Sequence, residues 1–94
     1  MVANKDLAQA ADVIDKKLQE RFSGASEKVF VFDTEWGHLR ALIGSDKFKG
    51  MGLGDRQNVV WDYLKESVPA EHLRFLYGIH PMDLAEYDAS VSEA

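Results

Sequence analysis

At 94 residues, without a cysteine and with a net charge of −5, the chain makes one small domain over 1–94. The composition excludes a disulfide, a zinc–thiolate site and a catalytic thiol. Charges run through the N-terminus and no apolar stretch reaches the roughly twenty residues of a membrane span, so a cytoplasmic protein, monomeric when alone, is expected.

The first segment places Leu7, Ala10, Ala11, Ile14, Leu18 and Phe22 at intervals of three and four, one apolar stripe along a helix. Asn4 is placed to cap it and Gly24 to stop it. KVFVFD (28–33) is rich in β-branched and aromatic residues, and TEWG (34–37) breaks it. HLRALIG (38–44) then alternates, with Leu39, Ala41 and Ile43 on one side and His38, Arg40 and Leu42 on the other. Two strands about a short turn make a hairpin. Beyond the glycines, Asp55 is placed to cap a helix to about Ser67, with Val60, Tyr63 and Leu64 on one face and Pro69 ending it. HLRFLYGIH (72–80) alternates again, with Leu73, Phe75, Tyr77 and Ile79 inward. Pro81 and DLAEY (83–87) predict a short terminal helix, order spans about residues 4–88, and the last residues fray. Helices between the second and third strands make those strands parallel. The expected fold is α+β: an α-β-β-α-α-β sandwich with a three-stranded mixed sheet and helices on one face.

Gly50, Gly52 and Gly54 stand at every second position of FKGMGLGDR. A phosphate loop needs Lys followed by Ser or Thr after its last glycine, and here Asp55 and Arg56 follow. Asp55 also sets a negative charge where a helix N-terminus would greet a phosphate. A G-x-x-G clamp on single strands fails on spacing. The glycines read as a turn into the long helix. His38, His72 and His80 all fall on the predicted outward face, where imidazoles are candidate metal ligands. The simpler alternative is that exposed strand positions accept any polar residue. No nucleophile–base pair or paired carboxylate marks an enzyme.

The stretch 38–66 resembles the BolA family, whose pattern runs S-x-x-F-x-G, then R-H, then an apolar helix. Ser45, Phe48, Gly50 and Arg56 match in register, as do Val60, Leu64 and Glu66, and IHPMDLAEY is similar to the family's ending. The resemblance implies a BolA-like fold related to class II KH domains. It also implies pairing with a monothiol glutaredoxin and a shared [2Fe–2S] cluster, no cofactor being intrinsic to the chain. The family's ligand is a histidine at the start of the last strand. Counting forward from Leu64 puts His72 there, given a long last strand; counting back from Tyr87 puts Phe75 there. Gln57 replaces the histidine of R-H, and the 34–37 turn is too short for the loop that carries a second ligand. His38 is its nearest substitute, and His80 the weakest candidate.

A non-enzymatic partner module for a monothiol glutaredoxin is thus the first expectation. The alternative is a regulator of transcription that binds DNA or RNA through a KH-like surface at Lys47, Lys49 and Arg56. A third is a plain interaction domain with its apolar first strand, and Trp36 at the hairpin tip, as the contact edge.

Overall fold

The computed structural model describes residues 4–34 and 37–92, so Trp36 lies outside the described residues. The order is α1 (Asn4–Arg21), β1 (Lys28–Asp33), β2 (Leu39–Gly44), a 3-10 turn (Asp46–Phe48), α2 (Leu53–Ser67), α3 (Ala70–Leu73), β3 (Leu76–Met82) and α4 (Leu84–Ser92). The sheet runs β1-β2-β3, with β1 and β2 antiparallel and β2 and β3 parallel. This is the mixed α+β sandwich expected from the alternation and the helical crossover.

The α1 stripe is buried at Leu7, Ala10, Ile14, Leu18 and Phe22 against Leu39, Ala41 and Ile43 of β2 and Val60 and Leu64 of α2. These are the residues whose periods, near 3.6 in the helices and two in the strand, set one apolar face. α2 begins earlier than Asp55 predicts: Gly52 is the extended residue before it, without a side-chain cap, and Asp55 sits in the first turn. There its charge meets the positive helix end. The side chain of Asn4, read as a cap, is outside the described residues.

Two departures reposition the site. The last strand starts at Leu76, because Pro69 opens the short helix α3, which takes up 70–73. His72 therefore stands on α3 and not on a strand. Inside β3 the register slips: Leu39 pairs Leu76 but Arg40 pairs Gly78, leaving Tyr77 as an extra residue. Leu76 and Ile79 are consequently both buried, while Tyr77 turns outward, 62% exposed.

The last helix is longer than DLAEY and is the exception to the one-face arrangement. Asp83 Oδ1 accepts from the Glu86 N–H at 2.9 Å, and Glu86 Oε1 accepts from the Asp83 N–H at 2.9 Å. This reciprocal pair satisfies two free donors and starts the helix. Gly44 alternates with the core residue Ile43, so it faces the other side of the sheet. A Cβ there would lie 2.7 Å from the Tyr87 ring. Glycine at 44 thus lets α4 lie directly on the far face, where Ser90 Oγ also reaches Met82 Sδ at 3.4 Å.

Candidate functional site

The junction after β2 is built by the residues that carried the resemblance. Ser45 is fully buried and its hydroxyl does two tasks. It accepts the Lys47 N–H at 3.1 Å, capping the 3-10 turn, and donates to the Glu27 carboxylate. Phe48, 1% exposed, fills the core with its ring centroid 5.5 Å from that of Phe22. Gly50 has φ +81°, a conformation that favours glycine, and it reverses the chain toward α2. Gly52 and Gly54 have no such φ, which leaves Gly50 as the one of the three that the turn requires.

Glu27 is the electrostatic centre of this junction. It accepts from the Gly24 N–H at 2.8 Å and lies 3.5 Å from Lys47 Nζ. Burial pushes its carboxyl up, but the Ser45 hydroxyl, the Gly24 amide and the Lys47 charge outweigh this and hold it below the ordinary value of 4.5. A lowered folded-state value means stability that is present above the unfolded value and lost as pH falls through the folded one. The wild type is accordingly expected to weaken on acidification below about pH 5. Glu27→Gln should cost about 1 kcal/mol at pH 7, and its gap to wild type should close toward pH 3. Urea unfolding of both proteins across this range measures it; a gap constant with pH would refute the assignment.

The basic residues proposed for nucleic acid do not form a free patch. Arg56 is a buried residue, 8% exposed. Its Nε donates to Met51 O at 3.0 Å, and its Nη1 donates to Pro81 O at 3.3 Å and to Glu86 Oε1 at 3.0 Å. It clamps α2, β3 and α4 together. Lys47 is tied to Glu27, donates to Arg21 O at 3.4 Å and lies over the Phe22 ring. Lys49 is exposed, and its side chain, alone of the three, is without a partner among the described residues. Arg56 and Lys47 are thus structural cations, and Lys49 is left as the one of the three whose charge is unengaged among the described residues.

The histidines are also dispersed. His38 stacks on Tyr77 with centroids 3.7 Å apart. His80 Nε2 accepts from Arg40 Nη1 at 3.3 Å, which places the ring proton on Nδ1. Tyr77 and His80 stand three positions apart on β3, on the order of 10 Å along the strand, so these two imidazoles do not converge. His72 is half-buried in a recess of about 170 Å³, lined also by Asp6, Gln9, Glu71, Arg74 and Phe75. Among the described residues no three His, Cys, Asp or Glu side chains are grouped to hold a metal ion. The forward count to His72 assumed a long last strand, and β3 starts after Phe75.

No family model matches the sequence, and no curated protein does. Solved structures do match. BolA1 from Arabidopsis thaliana is 21% identical, with 79% of this chain and 88% of that chain covered at a TM-score of 0.56. A bol-like protein from Babesia bovis is also 21% identical, with 86% of this chain and 92% of that chain covered at 0.55. The fold is BolA-like. Within that BolA-like frame, Gln57 takes a structural part: its Nε2 donates to Ile79 O at 2.9 Å and its Oε1 accepts from Trp61 Nε1 at 3.2 Å. α2 is thereby pinned along the outer edge of β3.

The apolar first strand, expected as a contact edge, carries a pair of rings. Phe30 and Phe32 stack at 5.3 Å on the far face of the sheet, with Phe30 51% exposed. The signal was available in KVFVFD, where Val29 and Val31 alternate with these rings and turn toward the core.

Proposed function

We propose that this BolA-like domain is a non-enzymatic partner module that docks a monothiol glutaredoxin and offers His72 as a single ligand to a [2Fe–2S] cluster the partner carries. The carrying observation is the placement of His72, the one histidine set in a recess rather than stacked on a ring or bonded to an arginine. One imidazole in an open recess, with no group of three His, Cys, Asp or Glu side chains among the described residues, fits a share in a partner's cluster better than a resident one. A cluster held in this way would supply redox or iron-sensing chemistry; the chain's own part is to dock, and to present the imidazole.

The test is titration of a cluster-loaded monothiol glutaredoxin with the protein, followed by visible circular dichroism. The spectrum should change with the native chain and the change should be lost in His72→Ala, a position outside the buried core. An unchanged spectrum with the native chain removes the partner. A full response in His72→Ala keeps the docking and removes the ligand.

A further inference from the structure

The two edges of the sheet are finished differently. On β3, Gln57 bonds Ile79 O, Arg56 bonds Pro81 O, and Pro81 has no N–H to offer. That edge is closed. On β1, the Thr34 N–H donates to His38 O at 2.7 Å, which fixes the alternation of the antiparallel ladder. Lys28, Phe30 and Phe32 face β2 with their backbone groups, so Val29, Val31 and Asp33 turn theirs outward. Among the described residues nothing bonds them. Six residues rich in Val and Phe, without a bulge and with charges only at the two ends, Lys28 and Asp33, make an open edge, a template for another strand.

Grooves of about 320 and 480 Å³ run along this edge between β1 and α1, sharing Ala8, Ala11 and Val31. Their apolar floor is rimmed by Asp12, Asp15 and Asp33, and no lysine or arginine lines them. Lys16 lies 3.7 Å from Asp12, but both are largely exposed and the pair is weak. On the opposite face of the same strand stand Phe30 and Phe32.

We propose that the free edge of β1 docks an extended segment of a partner protein, which adds as an outer strand with basic side chains toward α1 and apolar ones toward Phe30 and Phe32. Alternating side chains of a strand fall on opposite faces, so one segment meets both chemistries. The three carboxylates select a cationic segment, whereas a second copy of this chain would set the same acidic rim against itself. The edge shares no lining residue with the His72 recess, so the proposal stands apart from cluster ligation.

The probe is an acetylated, amidated peptide of about eight residues alternating Lys and Val, titrated into the full chain and followed by amide NMR. The amides of Val29, Val31 and Asp33 should shift and exchange more slowly. A Glu–Val peptide should bind at least ~10-fold more weakly, and Asp12→Lys with Asp15→Lys should reverse that preference. Val31→Pro removes an outward N–H without breaking a ladder bond and should abolish binding while circular dichroism keeps the native spectrum. Should Val31→Pro fail to fold, the two aspartate replacements on α1, both outside the buried core, decide. Shifts scattered away from β1, equal binding of both peptides, or undiminished binding by folded Val31→Pro would overturn the proposal. Concentration-dependent dimerisation that protects the same amides would assign the edge to a second copy and overturn it too.

Discussion

Arg56→Ala should lower stability by about 2–4 kcal/mol, or on the order of 10–25 °C in Tm for a domain of this size. The guanidinium is buried and joins three elements through Met51 O, Pro81 O and Glu86. Its removal leaves two carbonyls without this donor and Glu86 with only the Asp83 N–H, and an unmade buried hydrogen bond costs more than a made one gains. Because Glu86 is half-exposed, water recovers part of the loss, which keeps the figure below that of a fully buried pair. Arg56→Lys should recover under half of the difference, since one ammonium cannot span partners arranged around a planar fork. Thermal unfolding of the three proteins checks the order. A neutral Arg56→Ala would mean that the clamp is not made in solution. The same result bears on nucleic acid: any binding lost in Arg56→Ala must be read beside its melting curve.

Phe48→Ala should cost about 3–5 kcal/mol, a large share of what a small domain possesses. The ring is almost wholly buried against Phe22 and belongs to the core shared by α1, β2 and α2. The 3-10 turn that carries it is fixed by Ser45 on one side and Gly50 on the other, so the neighbours are poorly placed to collapse into the void. Phe48→Leu, which keeps most of the volume, should cost under about 2 kcal/mol. Urea denaturation with an unchanged m-value would confirm a loss of packing and not of compactness. An Ala variant as stable as Leu would show that the pocket closes without the ring.

Much of this architecture was legible because its periods are clean. The α1 stripe and the Leu39, Ala41, Ile43 alternation each define a face by themselves, and the helical stretch after β2 dictates a parallel third strand. The S-x-x-F-x-G spacing pointed to the BolA-like fold before any geometry, and the junction explains the spacing: a buried hydroxyl, a core ring and a positive φ at fixed offsets. β3 was misread because HLRFLYGIH alternates on paper across both a helical turn and a bulge. No local rule marks where Tyr77 drops out of the ladder. Asp83 and Glu86 did carry a readable capping signature, masked by the assumption that a chain ends in fraying. The candidate site was less legible. Lys47 and Arg56 count as positive charges in a sequence, but a list of charges does not say which of them already has a carboxylate or a carbonyl. The histidines shared a predicted face only while His72 was placed on a strand.

The position of α4 has a consequence for how the molecule breathes. Every other long element contributes side chains to one continuous core, whereas α4 rests on the far side of the sheet through Tyr87 on Gly44 and the Glu86–Arg56 link. It can lift away without opening the layer between α1, α2 and the sheet. Hydrogen exchange should therefore resolve two tiers, with amides of α4 released by a cheap partial opening and those of β2 only by global unfolding. Arg56 couples the tiers, because each departure of α4 strips it of Glu86, its one anionic partner among the described residues, while its two carbonyl bonds remain. The buried arginine is thus the molecule's own gauge of whether its last helix is seated.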